Sequence, residues 1–164
     1  MSRRALAAGA VLGAAVPSLY AEAVRRMFRF NIARVNDGDP RPLFRSYARD
    51  VEFTFPGTSS WAGTFRGRDA VQAWVGRFVA AGLKLEPDDI LVSGPPWNTR
   101  ACLRFTDALT LPDGSRPYVN AGVIDARIAW GRLKAYEVHE DTERSLAFDD
   151  YLFPSVQDAG PAQA

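Results

Sequence analysis

The sequence predicts an α+β fold in which three N-terminal helices cover a cone-shaped, curled antiparallel sheet that encloses one pocket. Apolar residues recur at three- and four-residue steps in the first half of the chain, which is typical of amphipathic helices. In the second half, alternating extended stretches are separated by turn signals, which is typical of an antiparallel meander. With 164 residues, 47% of them hydrophobic, the chain can bury one sizeable core, so we expect one domain.

Three segments have helical periodicity. Residues 18–37 place their apolar side chains on one face until the string NDGDP ends the pattern. Residues 40–48 predict a shorter helix with proline in its first turn, and residues 67–81 predict a third helix that ends at Gly82. Between the second and third helices, the string VEFTFPG is rich in β-branched and aromatic residues, which predicts a strand.

Four extended stretches follow the third helix, and the turn strings GPPWN, PDGSRP and WGR separate them. A closing helix is predicted over residues 142–152, with Asp141 as a plausible N-cap. The domain is therefore expected to cover residues 18–152, followed by a flexible tail at 153–164. The extended stretches are residues 83–93, 99–111, 118–130 and 132–140.

Composition argues against several classes of function. Twenty basic and nineteen acidic side chains leave a formal charge of +1, so we do not expect a nucleic acid partner. Because Cys102 and His139 are the only residues of their types, neither a disulfide within the chain nor a Cys/His metal cluster can form. We expect no metal and no cofactor.

Residues 1–17 form an apolar extension that resembles a signal peptide but is too short to span a bilayer stably. The nearest small-x-small cleavage pattern, at residues 21–23, falls inside the first predicted helix. We therefore expect a cytoplasmic protein, with export as the alternative if residues 1–23 act as a signal peptide. A wrongly assigned start codon is a third interpretation.

Asp107 is a carboxylate in the apolar row of the strand predicted over 99–111, where alternation groups it with Leu103 and Phe105. A charged carboxylate is costly to bury, so Asp107 is expected to be paired, protonated or at a pocket rim. The alternative is a structural ion pair with Arg104 or Arg127 near the end of the strand.

The last strand places three titratable side chains, Glu137, His139 and Asp141, at two-residue steps on the same side as Leu133 and Ala135. If that side faces inward, they form a row suited to proton transfer. Otherwise the row is solvated or lies in a dimer interface, and Asp141 only caps the closing helix.

Four further residues are candidates for ligand contact. Tyr118 and Asn120 share one face of their strand and can orient a ligand oxygen through hydrogen bonds, although one of them could instead satisfy backbone groups in the preceding turn. Phe55 and Trp61 flank the loop at the expected mouth of the cone and offer aromatic surface.

The strings FPGTSSWAGTFRGRDAV and WGRLKAYEVHEDT resemble the SnoaL-like branch of the nuclear transport factor two-like superfamily, over residues 18–152. That branch includes polyketide cyclases, ketosteroid isomerases and limonene epoxide hydrolase. The resemblance implies that Asp141 matches the water-activating carboxylate of the hydrolase and that Arg104 matches its paired arginine. The hydrolase's second acid meets Thr106, and the general base of the isomerase meets Phe55. For the cyclases, His139 and Asp141 are the nearest acid–base pair.

These observations together predict a cofactor-independent acid–base enzyme of the cyclase, isomerase or epoxide hydrolase type. Its substrate is expected to be a small, largely apolar molecule such as a polyketide or terpenoid. Asp141 is the predicted principal base, assisted by His139, Arg104 and Asp107. An outer sheet face that the helices cannot cover predicts a homodimer. The alternative is a non-catalytic ligand-binding or dimerisation module of the same fold.

Overall fold

The computed structural model describes residues 3–153, and it describes side chains from residue 19 onward. The tail expected at 153–164 lies outside the described residues except for Phe153, as do residues 1–2 of the N-terminal extension. No helix in the described part of the chain is both long enough and apolar enough to cross a membrane.

Helices α1 (Arg3–Asn36), α2 (Arg41–Ser46), α3 (Arg68–Ala80) and α4 (Thr142–Leu152) lie where the periodicity predicts them, with one difference. Helix α1 begins at Arg3 rather than near residue 18, so the apolar extension continues the first helix. The helix ends where predicted because Gly38, in the left-handed region with φ 83°, turns the chain toward α2.

The six strands of the described residues form one sheet in the order β2-β1-β6-β5-β4-β3. Neighbouring strands are antiparallel except for β1 and β6, which are parallel. The expectation of a purely antiparallel sheet is therefore wrong at this one pair, because the last strand returns beside the first after a long crossover. The strands are β1 (Tyr47–Phe55), β2 (Gly63–Arg66), β3 (Leu83–Ser93), β4 (Thr99–Leu109), β5 (Tyr118–Ala129) and β6 (Arg132–Glu140).

The core lies between the inner face of the sheet and helices α1 and α3. Phe53 is fully buried, with its ring centroid 4.5 Å from the rings of Trp74 on α3 and Tyr136 on β6. Along β4, alternate residues such as Leu103 and Phe105 are buried, as the sequence pattern predicts. Burial of such aromatic surface is the main source of stability in a core of this kind.

A β-bulge in β6 changes which of its side chains face inward. Ile128 of β5 pairs with Leu133, but the preceding Arg127 pairs with Ala135, so Lys134 is an extra residue on β6. Leu133 is buried before the bulge, whereas after it the buried residue is Val138. The alternation predicted from sequence is therefore wrong beyond Lys134, because one inserted residue exchanges the two faces of a strand.

Candidate active site

An apolar pocket lies between the inner face of the sheet and helices α1, α3 and α4. The space between its walls, including the open mouth, is about 1000 Å³. That is ample for a small ligand with a few waters. The walls are mostly aromatic and aliphatic, including Phe28, Phe53, Phe55, Trp61, Trp74, Val75, Phe78, Leu103, Phe105, Ile124 and Phe148.

On one side of the pocket, polar side chains from four different elements lie together. Asp107 lies on β4, Tyr118 on β5, Glu140 at the end of β6 and Ser145 on α4. Three donors point at one oxygen, Glu140 Oε1: Ser145 Oγ at 2.6 Å, Asn120 Nδ2 at 3.1 Å and the Tyr118 hydroxyl at 3.2 Å. The pocket thus combines an apolar body with one hydrogen-bonded polar wall.

Asp107 is the carboxylate of this wall with the fewest partners. The residue is 4% exposed, and its Oδ1 has no hydrogen-bond partner among the residues that the structure describes. Burial raises the pKa of Asp107 to about 7, and the negative charge of Glu140 contributes to that rise. A carboxylate with this pKa can both accept and return a proton near neutral pH.

Glu140 is held differently, although burial raises the pKa of its carboxyl too. The hydrogen bonds from Ser145, Tyr118 and Asn120 oppose that rise because each stabilises the anion. Burial and the two nearby carboxylates push the pKa of Tyr118 well above its usual range, so this phenol stays a neutral donor. The carboxyl groups of Asp107 and Glu140 therefore lie in different environments. Such a difference is how two acids in one site acquire different pKa values.

A further polar group faces the same cavity from helix α1. Asn31 is buried and lines the pocket. An amide in this position can donate to a ligand oxygen. Its position was visible in the sequence, since residue 31 falls in the apolar stripe formed by Phe28, Ile32 and Val35.

Asp141 does not face the pocket, so the expectation that it lines the cavity is wrong. It is the N-cap of α4, where its Oδ1 accepts from the backbone amides of Glu143 at 3.0 Å and Arg144 at 3.3 Å. The side chain is exposed and also pairs with the Arg144 guanidinium at 3.3 Å. Of the two interpretations offered by the sequence, the structure supports the capping one.

His139 and Arg104 also lie outside the pocket. The His139 side chain is 55% exposed, with its Nε2 3.6 Å from Glu137 Oε1 on the outer face, because the bulge at Lys134 turned both residues outward. Arg104 is 70% exposed and lies 3.9 Å from Asp88. The proposed assembly of Asp141, His139 and Arg104 around a substrate is therefore not present in this structure.

The remaining sequence candidates are at or behind the pocket wall. Phe55, Trp61 and Tyr118 line the pocket, and their contact with a substrate stays a prediction. Asn120 is fully buried and lies behind the wall, where its Nδ2 also donates to the Asp141 carbonyl at 2.9 Å and its Oδ1 accepts from the Ala121 amide. The Asn120 amide is thus engaged by protein groups, including Glu140, and its contact with a substrate stays a prediction.

Sequence reasoning missed Glu140 and Ser145. Strict alternation along β6 would place Glu140 on the side opposite His139 and Asp141, and no turn or glycine within the strand marks the bulge that exchanges the two sides. Ser145 is 2% exposed and lies one turn after the Asp141 cap, facing Glu140. No group of three or more His, Cys, Asp or Glu side chains suited to a metal ion occurs within residues 3–153.

Comparisons with solved structures place the fold among known proteins. The chain is similar to an NTF2-like protein of unknown function from Burkholderia pseudomallei, with 24% identity, a TM-score of 0.63, and coverage of 75% of this chain and 94% of that one. It is also similar to Bal32a from a soil-derived mobile gene cassette, with 24% identity, a TM-score of 0.64 and coverage of 78% and 97%. TerC, crystallised with polyporic acid, is 19% identical, with a TM-score of 0.61 and coverage of 76% and 94%.

These identities show a shared fold, and the family is shown by a separate match. A search of curated proteins finds no match. A family model described as the SnoaL-like domain matches residues 14–136, which run from within α1 into β6 and include strands β1 to β5 in full. The chain therefore belongs to the SnoaL-like domain family.

Proposed function

We propose that this protein is a cofactor-independent acid–base enzyme that takes a proton from a carbon next to a carbonyl group in a small, largely apolar molecule. Such a step begins a cyclisation or an isomerisation. The observation that carries the proposal is the Asp107 carboxylate, buried in an apolar pocket with Oδ1 unpartnered in the described residues and Glu140 nearby. A poorly hydrated carboxylate is a strong base toward a carbon-bound proton.

Asp107 and Glu140 have different parts in this step. Glu140 is fixed by its three hydrogen-bond donors, and its charge raises the pKa of Asp107. Above about pH 7 Asp107 is ionised and takes the proton, and the carboxylic acid formed can return it to another atom of the substrate. The apolar walls limit water around the exchanged proton.

Asn31 supplies the second requirement of carbon acid chemistry. When a proton leaves carbon, negative charge develops on the neighbouring carbonyl oxygen, and a fixed hydrogen-bond donor stabilises that charge. The Asn31 amide faces the cavity from α1, opposite the sheet that bears Asp107. We assign it the role of binding the substrate oxygen.

Epoxide opening is supported less well. The resemblance to limonene epoxide hydrolase relies on Arg104 and Asp141, and both side chains are exposed outside the pocket. Without an inward arginine next to the base, the pocket lacks the charge arrangement that the resemblance implies. The geometry therefore favours cyclase or isomerase chemistry over hydration.

Exchange of carbon-bound protons in D₂O tests the proposal without knowledge of the natural substrate. The probes are 1-tetralone, 2-tetralone and 1-indanone, and deuterium incorporation next to the carbonyl is followed by NMR at about pH 8, where Asp107 is ionised. The chain should accelerate exchange of at least one probe, and Asp107→Asn should slow it by roughly 100-fold or more. Asp88→Asn, an exposed carboxylate on β3, is the matched control and should keep the wild-type rate.

Two outcomes would contradict the proposal. Quenching of the fluorescence of the pocket tryptophans Trp61 and Trp74 would show that a probe binds. If a probe that binds exchanges its protons no faster than in buffer, the protein is a non-catalytic binding module and not an enzyme. Equal rates in the wild type and Asp107→Asn would remove Asp107 as the base. The homodimer and the cytoplasmic location stay predictions, and light scattering at high concentration tests the former.

A further inference from the structure

Helix α4 covers the polar wall of the pocket. The centroid of its Phe148 ring lies 4.3 Å from that of Tyr118, and the two rings stack. Ser145, in the first turns of the same helix, is buried. At the outer end of α4, the Asp149 carboxylate accepts hydrogen bonds from the backbone amide and hydroxyl of Ser60, in the loop before β2. The helix is thus attached to the sheet at one end and to this loop at the other.

Ser145 makes the shortest of the three hydrogen bonds to Glu140, with 2.6 Å between Oγ and Oε1. When a hydroxyl donates to an ionised carboxylate at this distance, the hydrogen bond is charge-assisted and is roughly twice as strong as one between neutral groups. Glu140 also directly precedes Asp141, the N-cap of α4, so its carboxylate lies near the positive end of the helix. Both effects favour the ionised form of Glu140, and both come from α4.

We propose that Ser145 is a positioning residue that holds the Glu140 carboxylate in place beside Asp107. The arrangement of these two carboxyl groups is then complete only while α4 covers the pocket. This inference rests on the proposed function, since Glu140 acts through its charge on Asp107. It adds a role for α4, an element that lies beyond the residues matched by the family model.

The groups that face Glu140 come from every element around it. Tyr118 and Asn120 donate from β5, Ser145 donates from α4, and the carboxylates of Asp107 and Asp141 repel it from β4 and from the start of the helix. Burial and the Asp141 charge raise the pKa of Glu140, while the three donors lower it. Loss of the shortest bond should therefore raise this pKa.

The test is a ¹³C NMR titration of the Asp and Glu side-chain carboxyl carbons in the full chain, which needs no substrate. Ser145→Ala should raise the Glu140 midpoint by about one pH unit, since a hydrogen bond to a charged group contributes about 1.5 kcal/mol. Ser145→Thr keeps the hydroxyl and should stay within about half a unit of the wild type on the same scale. Leu146→Ala, at an exposed neighbour on α4, is the matched control and should leave the midpoint unchanged.

Asp149→Asn gives a second, independent perturbation because it weakens the outer attachment of α4 without altering the pocket wall. It should raise the Glu140 midpoint in the same direction as Ser145→Ala, by a smaller amount. An unchanged Glu140 midpoint in Ser145→Ala, or equal shifts in the Ala and Thr variants, would overturn the positioning role. If Ser145→Ala does not fold, an unchanged midpoint in Asp149→Asn would do so. If the deuterium exchange test fails but the Glu140 midpoint shifts as expected in Ser145→Ala, the proposed reaction is wrong and the positioning of Glu140 by Ser145 still holds.

Discussion

Replacing Asp107 with asparagine should change how the stability of the protein depends on pH. In the folded state the pKa of Asp107 is raised from 3.8 to about 7, mainly by burial. Folding therefore favours the protonated form, so the stability linked to this proton is fully present below about pH 4 and is lost as the pH rises through about 7. An asparagine side chain carries no titrating proton, and this part of the pH dependence should disappear in the variant.

The structure sets the size of the effect. A pKa that rises from 3.8 to about 7 corresponds to about 4 kcal/mol, at roughly 1.4 kcal/mol per unit. This is an upper value, because water that enters the pocket hydrates the ionised carboxylate. Between about pH 4 and about pH 8 the wild type should lose up to about 4 kcal/mol of unfolding free energy relative to Asp107→Asn.

Urea denaturation of both proteins at these two pH values measures this difference, and comparison with the variant cancels the contribution of titrating groups that do not interact with Asp107. At the higher pH, where the effect is largest, the melting temperature of Asp107→Asn should exceed that of the wild type, because about 1 kcal/mol shifts it by roughly 2–4 °C in a chain of this size. A wild type and variant whose unfolding free energies change in parallel over this range would refute the claim that Asp107 is buried in a poorly hydrated pocket.

Two further predictions concern residues away from the proton transfer. Asp141→Asn should retain both the helix cap and the wild-type rate of deuterium exchange. Asp141→Ala should lose about 1 kcal/mol of unfolding free energy, measured by denaturant unfolding. A large loss of deuterium exchange in Asp141→Asn would show that Asp141 takes part in the reaction. Gly122→Ala should destabilise the protein by roughly 1–3 kcal/mol, because its new Cβ would lie 2.5 Å from the His139 carbonyl oxygen. Its matched control, Gly76→Ala on α3, meets no atom within 4 Å and should stabilise by roughly 0.5–1 kcal/mol, so equal effects of the two substitutions in thermal unfolding would contradict the packing described.

The fold was largely predictable from local patterns. The apolar stripe of α1, the aromatic strand β1 and the turn strings between β3, β4, β5 and β6 each depend on residues close together in the chain. The parallel pairing of β1 with β6 was not predictable in this way, because it joins strands that are far apart in sequence. The resemblance to the SnoaL-like branch indicated a curled sheet covered by helices, but it did not indicate which strand pairs with β1.

The candidate site was predictable in part, and the difference has a specific cause. Asp107 was identifiable because β4 keeps strict alternation, so a carboxylate in its apolar row has to face inward. Glu140 was not identifiable, because the bulge at Lys134 depends on how β6 pairs with β5 and exchanges the two faces of the strand. For the same reason His139 was assigned to the pocket and lies outside it.

The sequence by itself determined the fold class, the order of the elements, the apolar character of the pocket and the capping ability of Asp141. These properties follow from periodicity, composition and local hydrogen bonding. Only the tertiary structure decided that Asp107 and Glu140 share one wall, that Ser145 reaches that wall from α4, and that Asp141 faces solvent. The reason is that bringing two carboxylates from different strands to one wall depends on strand register and on the docking of distant elements, and both are set by packing across the whole sheet.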